Sequence, residues 1–387
     1  MMTTLFQAPP SEGPRLRFVT KLLQVNWLLV VLVVALASIG WLVLYSAADA
    51  SLEPWAGRQM YRFAFGLAIM LTMGFVDVRF YLRWSYLIFL VVLVLLVAVE
   101  VAGLTGMGAT RWLDLGVVSV QPSEMMKLAL ILALARYFHD LDDAQVNRIG
   151  TMLVPAAMMA LPTLLVLKQP DLGTAVLMVA VGTVILFVAG LALWKFLVAG
   201  LVVAAAAPIA WTMLHDYQQR RVMTFLDPES DPLGAGYHIL QSKIALGAGG
   251  LFGRGFLQGS QSQLNFLPEK QTDFVFTMLA EEAGLMGCIF VLALFALVIA
   301  ICYVVALRSE NQFGRLVCVG VGALLFVHVF INIAMVMGLV PVVGVPLPLI
   351  SYGGSSMLTV QLGLGLVLSV SVYRDTRIGS AQSGPPR

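Results

Sequence analysis

The chain has 387 residues, 60% of them hydrophobic and 11% charged, with a formal net charge of +2. A soluble globule carries about a quarter charged residues, so this composition excludes one and requires a protein that crosses a membrane many times. The near-neutral balance also excludes a nucleic-acid partner, which needs a concentrated basic surface.

A bilayer core asks for about 20 apolar residues per helix. That ruler marks spans at 27–46, 60–76, 85–103, 121–138, 150–167, 172–191, 195–214, 273–306, 315–340 and 355–373. The expected fold is an all-α polytopic membrane protein of ten transmembrane helices, with a long structured extracytoplasmic loop at 215–272 between helices 7 and 8. AADA at 47–50 looks like a signal-peptidase site, yet the apolar run from Trp27 to Tyr45 exceeds the roughly 7–15 residues of a cleaved segment. It is expected to remain as the first helix. Residues 27–373 then form one membrane domain between tails at 1–26 and 374–387. Within those tails, 1–14 and 379–387 are rich in Pro, Gly and Ser and lack the apolar content to order themselves.

The tails and alternate loops carry Arg15, Arg17, Lys21, Arg79, Arg83, Arg136, Arg148, Lys195, Arg308, Arg315, Arg374, Arg377 and Arg387. The opposite short loops carry only Arg58, Arg62, Arg111 and Lys168. Basic residues stay inside, so both termini are expected in the cytoplasm of an inner-membrane protein. Residues 104–120, 215–272 and 341–354 then face outward, and most of the polar punctuation lies there.

Taken along the chain, TRWLDLG sets Arg111, Trp112 and Asp114 in an outward connection, where Trp112 serves as an interfacial belt residue or as a wall of a sugar or headgroup site. The fourth helix opens with QPSEMMK. Glu124 and Lys127, three residues apart, share a helix face and are either an intrahelical ion pair or a functional site, the usual meaning of charge inside a span. In KQPDLGT, Lys168 and Asp171 are placed to cap helix ends. GYHILQSKIALGAGG, with Lys243, has the spacing of a short interfacial helix. GAGGLFGRGFLQG supplies flexible backbone and Arg254 but matches no nucleotide motif.

The stretch LPEKQTDFVFTMLAEEAGLMG places Asp273, Glu281 and Glu282 at the mouth of a long apolar run. A continuous helix from Asp273 to Ala306 would be roughly 50 Å long, so it must project outward, tilt, or break near Gly284 and Gly287. Asp273 is either a first-turn acid or a functional one. In PVVGVPLPLISYGGSS, Pro346 and Pro348 restrict the chain and Gly353 and Gly354 permit close backbone approach. Ser351 lacks the setting of a nucleophile. Cys288, Cys302 and Cys318 are small apolar-segment thiols, and His139, His215, His238 and His328 are too dispersed for a metal motif.

Together RWLDLG, QPSE with Lys127, QPDLGT, DPLGAGYHILQSKIALGAGGLFGRG, FLPEKQTDFVF, AEEAGLMG and PLPLISYGGSS resemble the SEDS (shape, elongation, division and sporulation) family, in particular its elongation branch. The resemblance runs from the first helix to the last. It implies a ten-helix membrane glycosyltransferase that polymerises lipid II at the outer membrane face, working with a class B penicillin-binding protein and other proteins of the elongation complex. The family's essential acid falls on Asp273, its functional Trp on Trp112, and its Glu and Lys pair on Glu124 and Lys127. Lys270 and Gln271 stand where relatives more often carry Arg and His, which argues against a mechanism that requires that His as base.

On this reading Asp273 is the general base and Glu281 a possible helper, with Glu282 structural. Lys127, Arg111, Lys243 and Arg254 are, in falling order, the candidates to offset pyrophosphate charge. No metal site is built by the protein, although Mg²⁺ or Mn²⁺ bridging the substrate pyrophosphate is compatible with one or two carboxylates. The competing readings are a lipid II flippase, a division-specific SEDS polymerase, and a scaffold without catalysis. A flippase would favour midplane polar sites and internal repeats, whereas here the polar motifs gather at the outer face and no repeat is evident.

Overall fold

The computed structural model describes residues 18–106, 109–114, 119–213, 216–227, 235–259 and 269–376. The tails at 1–14 and 379–387 and much of the loop between 228 and 268 lie outside the described residues. The helices in chain order are α1 (Phe18–Gln24), α2 (Trp27–Ala47), α3 (Ala56–Phe75), α4 (Val78–Ala102), α5 (Pro122–His139), α6 (Asp143–Val146), α7 (Ile149–Lys168), α8 (Leu172–Val188), α9 (Leu193–Met213), α10 (Asp216–Leu226), α11 (Ala235–Gly249), α12 (Val275–Arg308), α13 (Gln312–Val336) and α14 (Gly354–Val372). A helix stands on every apolar segment marked by the bilayer ruler. Six of them are long and apolar enough to cross a membrane, and Leu172–Val188 and Leu193–Pro208 are shorter apolar helices. The remaining two, α3 and α5, carry polar side chains within an otherwise apolar sequence.

Short polar residues start the helices. Asn26 accepts from Leu29 N at 3.2 Å, Asp77 from Arg79 N at 2.8 Å, Asp171 from Thr174 N at 3.2 Å and Asn311 from Gly314 N at 2.6 Å. Each satisfies a donor that the helix geometry leaves unpaired. Because the ruler counts apolar residues only, it places the starts of α3 and α4 too late: their first turns contain Arg58, Gln59 and Arg79.

The fold is mostly helical, with one short exception. Between α4 and α5 the chain forms a three-stranded antiparallel sheet, β1 (Leu104–Gly106), β2 (Ala109–Asp114) and β3 (Ser119–Val120), in the order β1-β2-β3. Leu104 pairs with Trp112 and Leu113 with Val120. A connection that lies on helix ends must still pair its backbone groups, and Thr110, Trp112 and Val120 suit a pleated strand.

The innermost helices are α5, α13 and α14, whose side chains are buried almost throughout. α13 packs on α5, α8, α12 and α14, while α3 lies against α14 and α2 against α12. Polar side chains lock α14 to α3: Gln361 Nε2 donates to Phe63 O at 3.1 Å, Ser369 Oγ to Val76 O at 2.7 Å and Tyr373 OH to Phe75 O at 2.8 Å. Hydrogen bonds of this kind hold helices together where apolar burial cannot. α9 is exposed along most of its length.

α12 resolves the three alternatives for its length by breaking. Gly284 has φ 68° and ψ −167°, a conformation that costs a residue with a Cβ steeply. The freed backbone groups do not go unpaired. Arg254 N donates to Glu281 O at 3.0 Å and Gly255 N to Glu282 O at 3.1 Å, while Leu285 N and Met286 N donate to Gly250 O and Leu251 O at 3.0 and 3.1 Å. The stretch read as flexible backbone is thus docked into the break by four main-chain bonds.

Candidate active site

The motif-bearing loops meet at one end of the helices. Arg111 Nε donates to Gln169 O at 3.1 Å and its terminal nitrogen to Pro170 O, so β2 is clamped onto the turn between α7 and α8. Gln121 Nε2 reaches Asp171 Oδ2 at 3.2 Å, and Asp171 also accepts from Thr174 Oγ1 at 2.9 Å. Lys168 pairs with Glu100 at 3.1 Å. Arg111, expected to face phosphate, directs its guanidinium to carbonyl oxygens, and Lys168 and Asp171 act at helix ends as the spacing suggested.

Deeper, Lys127 Nζ donates to Glu124 Oε1 at 2.8 Å with both side chains buried. It also lies 3.1 Å from Nε2 of His328, whose Nδ1 is 2.8 Å from Leu324 O. A ring nitrogen facing a carbonyl must carry the proton, so Nε2 accepts from the ammonium. The pair expected from spacing is therefore a three-member network that takes a histidine from α13.

Asn332, one turn above His328 on the same face of α13, donates through Nδ2 to Asp273 O at 3.0 Å and to Val345 O at 2.8 Å. Four residues correspond to about 6 Å of helix. The Lys127 network and the Asp273 turn are therefore successive levels of one helix face. Three buried oxygens at these levels, Ser123 Oγ, Glu124 Oε2 and Asn332 Oδ1, have no hydrogen-bond partner among the described residues. Buried polar atoms are rarely left that way, and these three have capacity for further hydrogen-bond donors.

The Asp273 turn is stitched to the segment before α14. Ser351 Oγ donates to Thr272 O at 2.6 Å and accepts from Leu347 N at 2.8 Å, and Tyr352 N donates to Gln271 O at 2.8 Å. Gln59 Nε2 donates to Ser351 O at 2.8 Å. Ser351 is a staple between the two segments. Position 271 contributes its carbonyl, so the absence of a histidine side chain there leaves the stitching intact.

α12 starts at Val275 with Phe274 as its cap residue, so Asp273 precedes the helix and is not its side-chain cap. The carboxylate is half-buried and lies over Gly344, where an added methyl group would sit 3.5 Å from Oδ2. Gly344 has φ 71°, which suits glycine and leaves space above the acid. Beside it Lys270 is 5% exposed. Burial lowers its amine pKa from the ordinary value, and the Asp49 carboxylate works against that shift.

The other acids differ. Glu281 is wholly buried, about 9 Å down the axis from Val275. Glu282 accepts a short hydrogen bond from Ser46 of α2 and borders an apolar cavity of about 250 Å³ lined by Leu42, Phe256 and Phe290. Lys243 and Arg254 are exposed. A side chain at Gly338 would meet Lys243 Nζ at 2.9 Å, and Arg254 Nε points to Ala248 O at 3.4 Å. Trp112 is half-buried on β2, the strand that packs on α4 and α5. Sequence reasoning missed His328 and Asn332. Their signal was available as two polar residues four apart in an apolar helix. Among the described residues no group of three or more His, Cys, Asp or Glu side chains could hold a metal ion.

A profile of the FtsW/RodA/SpoVE family, described as cell cycle protein, matches residues 24–376. Peptidoglycan glycosyltransferase MrdB of Escherichia coli (strain K12) is 49% identical over 320 residues, spanning 82% of this chain and 85% of that protein. A chain of a solved peptidoglycan synthase complex, described as coordinating polymerization and crosslinking, superposes with a TM-score of 0.78 at 34% identity, covering 90% of this chain and 98% of that one. The rod shape determining protein RodA of Thermus thermophilus does so with a TM-score of 0.69 at 30% identity, covering 91% and 98%. The chain is a multi-pass membrane protein that belongs to the FtsW/RodA/SpoVE family, the one its motifs resemble.

Proposed function

We propose that the chain is a peptidoglycan glycosyltransferase that polymerises lipid II during cell elongation, with Asp273 as general base. The observation that carries this reading is the Asp273 turn. Its backbone is fixed from two sides by Asn332 and Ser351 while the carboxylate is left partly open over Gly344. The identity to MrdB supports the activity, and the rod-shape name of the Thermus relative favours elongation over division.

In the reaction the 4-hydroxyl of the acceptor GlcNAc gives its proton to the Asp273 carboxylate as its oxygen bonds to the anomeric carbon of the donor MurNAc. The bond from that carbon to the lipid pyrophosphate breaks, and the pyrophosphate leaves with the electron pair. Proton transfer to a positioned group is worth about 10²–10⁴ in rate. Lys127, held by Glu124 and His328, supplies fixed positive charge below the acid, and Trp112 and Glu124 bind substrate in this scheme. Arg111 shapes the site through its bonds to the Gln169 and Pro170 carbonyls and Glu281 is wholly buried, while Lys243 and Arg254 are exposed cations toward which the pyrophosphate could extend. A divalent ion bound to the pyrophosphate would neutralise its charge and would take one or two carboxylates of the protein, for which Asp273 is the half-exposed candidate.

Ten transmembrane helices, α2 to α5, α7 to α9 and α12 to α14, make one domain over 27–373, with both termini in the cytoplasm and the site at the outer face of the cytoplasmic membrane. The long outer loop between α9 and α12 contains α10 and α11. The positive-inside count and the meeting of the motif loops at the less basic end support this orientation. A class B penicillin-binding protein is the activating partner, in keeping with the synthase complex from which one similar chain comes. The deciding experiment supplies lipid II to the purified chain with that partner and compares glycan polymer from native and Asp273→Ala protein. Polymer from the native chain alone is expected. Equal polymer from both would remove Asp273 from the chemistry, and lipid II crossing liposomes without any polymer would favour a flippase.

A further inference from the structure

A second set of donors converges beside the Asp273 turn. α14 begins at Gly354, and its cap residue Gly353 has no side chain to cap the helix, so the N–H groups of Gly354, Ser355 and Ser356 receive no side-chain acceptor from it. Ser356 is 7% exposed and its Oγ is buried without a hydrogen-bond partner among the described residues. A Cβ on Gly353 would sit 3.9 Å from Ser356 Cβ, so the vacant cap position opens onto this side chain.

The third element is Arg62 of α3. Its guanidinium stacks over the Tyr352 ring, 5.2 Å from the centroid. A Cβ on Gly354 would lie 3.2 Å from Arg62 Cδ and 3.3 Å from both Nε and Nη1. The guanidinium therefore covers the first residue of α14, and glycine at 354 is what allows it to come so close. Arg62 forms no ion pair with a carboxylate of the described residues, whereas Arg58, one turn earlier, reaches Glu53 at 3.6 Å.

Free helix N–H groups, the positive end of a helix dipole, an unpaired hydroxyl and a planar cation form the donor set of a phosphate site. We infer that Arg62, Ser356 and the N-terminus of α14 bind a lipid-borne phosphate. This inference rests on the proposed function only for the identity of one candidate lipid. Tyr352 N bonds Gln271 O at 2.8 Å and Ser351 Oγ bonds Thr272 O at 2.6 Å, so the site adjoins the candidate catalytic acid. Two membrane lipids present the required chemistry: a polyprenyl pyrophosphate, as in the substrate, and an anionic phospholipid.

The test uses the full chain in phosphatidylcholine nanodiscs, titrated separately with a C55 polyprenyl pyrophosphate and with phosphatidylglycerol. Arg62→Gln is expected to weaken binding of one of the two lipids about tenfold and Ser356→Ala about threefold, with Arg62→Lys retaining part of the affinity. Loss for the pyrophosphate makes this a substrate subsite, and KM for lipid II should then rise with kcat within about twofold, since the group binds rather than reacts. Loss for phosphatidylglycerol alone makes it a headgroup site, with KM unchanged in nanodiscs free of that lipid. Unchanged affinity for both lipids in Arg62→Gln and Ser356→Ala, in protein whose thermal unfolding matches native, overturns the inference. A native chain that binds but makes no polymer with its partner would instead count against the glycosyltransferase reading and leave the phosphate site standing.

Discussion

Asp273 and Glu282 are nine positions apart in one acidic stretch, yet the protein treats them in opposite ways. At Asp273 the main chain is tied down by neighbouring side chains while the carboxylate lies half-open over a glycine. At Glu282 the side chain itself is held, by Ser46, inside the contact between α12 and α2. A group that is to exchange a proton with substrate needs a fixed position and a carboxylate that substrate can reach. Glu282, 7% exposed and bonded to Ser46 across a helix contact, contributes to packing. The difference lies in exposure.

Substitutions can invert that contrast or sharpen it. Asp273→Asn keeps shape and removes the base, so lipid II polymerisation should fall by about 10² or more; a value near native in a single-turnover assay would reverse the ranking of the two acids. Lys127→Met strands Glu124 and His328 in the interior, and loss of one partner of a buried pair costs about 3–5 kcal/mol. It should cut polymerisation at least about tenfold and lower the unfolding temperature. Adding Glu124→Gln should restore the temperature but not the rate, and recovery of both would reduce the network to packing.

Ser351→Ala leaves Thr272 O and Leu347 N without their shared hydroxyl, at a cost of about 1–3 kcal/mol. A several-fold drop in kcat with little change in KM is expected, because the turn carrying Asp273 loosens; a KM effect alone would place Ser351 in binding. Glu282→Gln should be the mildest change, with polymerisation within about twofold of native, since an amide oxygen can still accept from Ser46. A large loss there would move Glu282 into the working site.

The helices were legible because a bilayer imposes a length that few other constraints imitate. Their polar first turns were not, since Arg58, Gln59 and Arg79 carry no apolar signal although they are helical. The sheet was hidden because its strands are only two to six residues long. Breaking of α12 was one of three alternatives in the sequence, and the choice among them depended on residues 250–255, which are distant in the chain and adjacent in space. Glu124 and Lys127 were readable from local spacing. His328 was not, because histidines were weighed as metal ligands and not as acceptors for a buried ammonium. Arg111 was readable as a cation, but only the position of the Gln169 and Pro170 carbonyls reveals where its charge is directed.

The seam at Gly284 makes one mechanical unit of two stretches that the chain separates. Residues 250–255 and the N-terminal half of α12 are cross-linked at four points, so a load on exposed Leu251 or Phe252 is delivered to the helix that begins two residues beyond Asp273. A grip on this loop therefore acts on the helix behind the acid as well as on the loop itself.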